Sequence, residues 1–230
     1  MRRASHLFGR ALRETGQAVD RLGLTFANND MFKETFSRHR SIMNLFDQRP
    51  VIAAGVFVAP NASVVGDVLL LNDVSIWYGA VLRADKSSIK IGTRTNVQDR
   101  AVIGTVANLQ SGSGFPARVE VGDEVTIGHG ALLTSCTVGN RSLIGQGAVV
   151  QEGAEVGHNC IVAAGAVVLP GTLIADNQLW AGNPAVFVRD VSEAELAYFP
   201  KAAEAYEAIA KTHSDEFLPY GTAYQEAEKL

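Results

Sequence analysis

Five histidines and two cysteines are the side chains of this 230-residue chain that could hold a transition metal or act as a base near neutral pH. His6 and His213 lie in the terminal segments and offer no ligand spacing. His39 stands between Arg38 and Arg40, where adjacent cations disfavour both a proton and a divalent ion, so it reads as a solvated or partner-facing residue. Two cysteines cannot build a disulfide framework. Cys160 fills a small-residue slot as a buried, inert thiol, and Cys136 falls in an irregular step. His129 and His158 occupy the same slot of a six-residue repeat, and that repeat decides what each can reach.

A branched aliphatic returns every six residues from Val58 to Ile174: Val58, Val64, Leu70, Ile76 and Leu82, then Ile91, Val97 and Ile103, then Val121, Ile127 and Leu133, then Val138, Ile144, Val150, Val156, Val162, Val168 and Ile174. Four residues after each, the side chain is nearly always small or β-branched, as at Ala62, Thr95, Ala131, Thr137, Ser142 and Cys160. A period of six fits neither a helix face nor strand alternation and marks a solenoid. The implied fold is all-β, a left-handed parallel β-helix in which three hexads make one triangular coil and each coil buries its interior against the next. Gly92, Gly122, Gly128, Gly139, Gly145 and Gly157, at the second hexad position, are expected to serve turns closed to other residues. His158 comes five hexads after His129; five is not a multiple of three, so the two project from different sides of the prism, and His158 reads as a surface turn residue.

The rhythm breaks between Leu82 and Ile91, which implies a bulge or loop, and between Leu133 and Val138, where one residue is missing. Gln110 to Pro116 is turn chemistry inserted without loss of phase, so it must project outward. Domain organisation follows as residues 1–50, an amphipathic helix and connecting arm, 51–190, the β-helix, and 191–230, a helix and docking tail. Met1 to Gly23 carries five arginines against Glu14 and Asp20, with Leu7, Phe8, Leu12, Val19 and Leu22 on one face; this suits a targeting segment or a helix lying on lipid or on partner helices. Ser192 with Glu195 forms a capping box, Pro200 should break the helix that follows near its first turn, and the end from His213 reads as an extended tail. Net charge is −4 and the sequence pI about 5.7, which argues against nucleic acid as a partner. Only 19% of residues are charged, as expected if strand faces are covered by neighbouring chains. No apolar run approaches the roughly 20 residues of a membrane span.

Two large groups use this solenoid, acyltransferases and gamma-class carbonic anhydrases. RETGQAVDRLG from Arg13, SRHRSIMNLFD from Ser37, SIWYGAVLRAD from Ser75, NVQD from Asn96, TIGHGALLTSC from Thr126 and WAGNPAVFVR from Trp180 resemble the gamma carbonic anhydrase and carbonic-anhydrase-like subunits of plant-type mitochondrial complex I, over nearly the whole chain. The resemblance implies a trimer whose zinc is shared, the first and third histidines coming from one subunit and the second from its neighbour. Those positions fall on Gly104, His129 and Thr134 here, so only the second ligand is present. Arg83, Asp85, Gln98 and Asp99 match positions that in the family form an intersubunit ion pair and orient the zinc-bound water. The expected function is a non-catalytic assembly subunit of a heterotrimer on the matrix side of the inner membrane, attached to the complex I membrane arm, with its first helix against lipid and no cofactor of its own. Two other readings stand: a zinc-dependent carbonic anhydrase in which His129 completes a partner's site, and a hexapeptide-repeat acyltransferase using His129 or His158 as base.

Overall fold

Short strands separated by turns every six residues can bury their branched side chains only by winding, and the computed structural model of the chain shows this winding. It describes residues 2–26, 39–106, 114 and 116–216. The chain divides into two compact units, Met1–His39 and Arg40–Leu230. The first holds the helix α1, Arg2–Phe26, which runs three residues past the segment read from the sequence. Phe8, Leu12, Val19, Leu22 and Phe26 are exposed on it. Among the described residues no helix is long and apolar enough to cross a membrane.

The second unit is a parallel β-solenoid of about seven turns. Each coil contributes one strand to each of three faces. The first face stacks Phe57–Val58, Ser75–Ile76, Asn96–Val97, Thr126–Ile127, Leu143–Ile144, Ile161–Val162 and Gln178–Ala181, and closes with the antiparallel strand Val186–Asp190. The other two faces are joined by the long strands Ser63–Leu70 and Val81–Ile91, which run through the corner between them. The three extra residues before Ile91 form a bulge there: Gly66 pairs with Ala84 but Val68 with Ile89. Winding also begins and ends beyond the repeat read from sequence. Val51–Ile52 opens the first coil, and Trp180 takes the next hexad position after Ile174, opposite Val162. The arm adds a strand of its own, Ile42–Met43, against Val64 and Val65. The loop at Gln110 to Pro116 and the tail beyond Glu216 lie largely or wholly outside the described residues.

Every repeat aliphatic from Val64 to Ile174 is buried, and Val58 alone is half-exposed, in the first coil where a neighbour covers only one side. Each such burial is worth about 1.5–3 kcal/mol, and the stack makes one continuous core. The small-residue slot is a corner where coils nearly touch. Polar occupants use it to donate to the next coil: Thr95 Oγ1 to Gly122 O at 2.7 Å, Ser142 Oγ to Gly157 O at 2.9 Å, and Cys160 Sγ to Ala175 O at 3.0 Å. At the step with one residue missing, Cys136 fills this corner and Thr137 does not, which corrects the register expected above. Burial pushes the Cys136 thiol up to about 12 and raises that of Cys160 as well.

The second-position glycines also have a different cause from the one expected. None of the six has a positive φ. A Cβ on Gly145 would stand 2.4 Å from Ala164 N, and one on Gly92 2.3 Å from Gly122 C, so what these positions require is close approach of the next coil's backbone. Left-handed geometry is taken two residues later, by Arg94, Glu124, Gly130, Arg141, Gly147 and Asn159.

After the solenoid, Ser192 caps α2, Glu193–Leu196, in a full capping box. Arg189 grips Glu195 with both guanidinium nitrogens at 2.8 Å; that pair, then Ser192, holds the Glu195 carboxyl well below the usual range. The chain breaks at Ala197, and Pro200 sits in the first turn of α3, Tyr198–Glu216, where its missing N–H costs nothing. The helix takes in His213 to Glu216, which the sequence pattern assigned to an extended tail. It packs on the first face through Phe199, Ala202, Ala203 and Ala210, covering the strands from Phe57 to Ile127.

Candidate functional site

His129 stands on the edge where the helix-covered face meets the next one. Its turn is fixed by two glycines for two reasons: a Cβ on Gly128 would meet Gln146 N at 2.7 Å, and Gly130 has a φ of +66°. In the coil beneath, Asp99 occupies the matching turn, with its carbonyl accepting from Gly130 N at 2.9 Å. Asp99 Oδ2 lies 3.2 Å from His129 Nδ1, and Oδ1 accepts the Tyr78 backbone N–H at 3.0 Å. A carboxylate on Nδ1 orients the ring and leaves Nε2 to ligate or to take a proton. Gln98, almost wholly buried, accepts from His129 N at 3.2 Å through Oε1 and donates from Nε2 to the Tyr206 hydroxyl at 2.6 Å. A cavity of about 370 Å³ adjoins, lined by Gln98, Thr126, His129, Gln146, Tyr198 and Tyr206 among others. Burial, assisted by Tyr198 and Asp99, raises the Tyr206 phenol above its ordinary value, so it stays protonated.

Gly104 and Thr134 are register partners on adjacent parallel strands, with Arg83 on the strand below. Side chains so placed stand about 4.8 Å apart, close enough for two imidazoles to share one metal. His129 precedes the strand of Thr134, on the turn beside Asp99. This chain's own donors do not fit a complete catalytic site: glycine supplies none, and a hydroxyl replaces the third imidazole. Nor do the described residues demand the glycine, since a Cβ on Gly104 would have none of their atoms within 4 Å and its φ is not positive.

Arg83 and Asp85 approach each other within the chain, Nε to Oδ2 at 3.4 Å. Asp85 Oδ1 is inaccessible and has no hydrogen-bond partner among the described residues. The bulge beside it is pinned by Thr105 Oγ1, which accepts from the Lys86 and Ser87 N–H groups. His158 stands on another edge, as the repeat phase requires, and is built into a ladder: Asn140 N donates to His158 Nδ1 at 2.9 Å, and His158 N to Asp176 Oδ1 at 2.7 Å. Missed by sequence reasoning were Tyr206, Tyr78 and His213. Nothing in the sequence pattern pointed to the Tyr206 hydroxyl.

Residues 135–170 match the bacterial transferase hexapeptide family (six repeats). The chain is 49% identical to gamma carbonic anhydrase 3, mitochondrial, of Arabidopsis thaliana, over 94% of this chain and 83% of that one. To the gamma carbonic anhydrase-like 1, mitochondrial, of the same plant it is 41% identical, over 88% and 80%. A crystal structure of a hexapeptide transferase family protein from Anaplasma phagocytophilum superposes with a TM-score of 0.68 at 34% identity, covering 74% of this chain and 96% of that one.

Proposed function

Because this chain belongs to the gamma carbonic anhydrase family, we propose that it is a ligand-depleted structural subunit of a mixed trimer of such chains, working in mitochondria on the matrix side of the inner membrane as part of the complex I membrane arm. The observation that carries the non-catalytic reading is Gly104: a position with room and backbone geometry for a ligand holds none. Assembly with related chains draws support from one of the two faces that α3 leaves uncovered. Val81, Val102, Leu132, Val149 and Val167 stack in register on its outer side, each partly exposed, and no charge interrupts the column. An aliphatic stripe of this kind favours burial against another protein. The basic helix α1 would supply the lipid or membrane-arm contact, and mitochondrial location follows the names of the relatives. Tagging the chain, extracting membranes in mild detergent and identifying what co-migrates tests the reading. Respiratory subunits with histidine-complete relatives support it, and a free homotrimer in the soluble fraction sinks it.

A second reading has its own observation in the Asp99–His129 pair, which presents Nε2 as a metal ligand would need it. In this reading His129 completes a zinc site for a partner that carries the other two histidines. Zinc in the native trimer that is unchanged by His129→Ala excludes it.

A further inference from the structure

We propose that Tyr206 and His213 are positioning residues for His129, so that the docked C-terminal helix holds both the backbone and the ring of that histidine. The proposal rests on the second reading above only for its consequence in zinc binding, not for the wiring itself. Tyr206 and His213 are seven residues apart, about two helical turns, and so lie on one side of α3. Each starts a separate polar path to His129. Tyr206 accepts from Gln98 Nε2, and Gln98 Oε1 accepts the His129 backbone N–H. His213 Nδ1 lies 2.8 Å from the Tyr78 hydroxyl, the Tyr78 backbone N–H donates to Asp99 Oδ1, and Asp99 Oδ2 holds His129 Nδ1. The two paths begin on one helix and end on one residue, one at its main chain and the other at its imidazole.

Packing keeps both starting points in place. Trp77 meets Tyr206 edge-on at 5.9 Å and His213 edge-on at 5.2 Å, and Phe57 packs against Trp77 in a tilted arrangement at 5.3 Å. Trp77 is itself pinned by its indole N–H to Ser75 Oγ at 3.0 Å. Both polar ends of the Gln98 side chain are taken, the oxygen by His129 and the amide nitrogen by Tyr206. Gln98 therefore acts here as a strut between helix and histidine. Lifting α3 from its face would free the His129 N–H and loosen the carboxylate that fixes its ring in one motion.

The two paths predict different signatures in the full-length, isotopically labelled chain. Tyr206→Phe keeps the aromatic packing and removes only the hydroxyl. Amide exchange at His129 should then rise about fivefold, the factor expected when one hydrogen bond is weakened, with the strand Leu132–Thr134 unchanged. His213→Phe keeps the ring contact and removes the nitrogen, so the His129 ring ¹⁵N signals should move from one tautomer toward a mixture. Ile209→Ala, on the same helix with an exposed side chain outside the cavity, should change neither. Wild-type exchange and ring signals in both test variants overturn the proposal, as does an equal effect from Ile209→Ala. If zinc proves independent of His129 while these signatures appear, the wiring stands and the shared-zinc reading falls.

Discussion

Gly104→Ala should stabilise this protein, although most substitutions of glycine in a crowded solenoid should do the reverse. The added Cβ at 104 meets no atom of the described residues within 4 Å and the backbone is ordinary strand. The change therefore acts mainly by reducing the freedom of the unfolded chain, worth about 0.5–1 kcal/mol, or roughly 1–4 °C in Tm for a chain of this size. Gly145→Ala is the matched opposite. Its Cβ would lie 2.4 Å from Ala164 N and 2.6 Å from Ala163 C, backbone atoms of the next coil that cannot rotate aside. Overpacking of this sort costs about 1–3 kcal/mol or more, so Tm should fall by several degrees. Thermal unfolding followed by circular dichroism reads both signs. The functional form of the test follows: Gly104→His with Thr134→His should give an assembly of this chain that takes up zinc, and adding His129→Ala should abolish the uptake. A loss of more than about 1 kcal/mol in Gly104→Ala would show that the fold needs this glycine, and the argument that a ligand position was simply vacated would fail.

Leu133→Ala, at a fully buried repeat position, should cost about 2–5 kcal/mol in denaturant unfolding, while Leu173→Ala, 69% exposed, should stay within about 0.5 kcal/mol. Cys136, raised by burial from 9.0 to about 12, should resist alkylation in the folded protein and react on unfolding. Because its folded value is the higher one, its stabilising contribution is full below about 9 and is lost as pH rises toward about 12, which unfolding curves across alkaline pH would register. Glu195 runs the other way: its folded value is depressed, so the Arg189 clamp and capping box contribute above the usual carboxylate range and weaken as pH falls below it. Amide exchange at the start of α2 should rise in acid, and Glu195→Gln should remove that pH dependence.

The six-residue period was enough to specify the solenoid because the winding is local: each aliphatic needs only the coils above and below it, and the same spacing repeats that need from Val64 to Ile174. The same arithmetic placed His129 and His158 on different edges. The capping box and the break near Pro200 were equally legible, since a helix start is a matter of four neighbouring residues. Contacts between coils were not. Whether Cys136 or Thr137 turns the corner depends on how the shortened step lies over Glu120 and Glu155, its register partners above and below. The second-position glycines look like turn glycines in one dimension, yet they answer to a backbone one coil away. His129 receives its partners from Gln98 and Asp99, about thirty residues earlier, and beyond them from Tyr206 and His213 on a helix that folds back along the prism. A sequence can state that His129 and His158 share a slot on different edges; only the stacked coils and the returning helix decide what holds His129, because distance in space between coils is unrelated to distance along the chain.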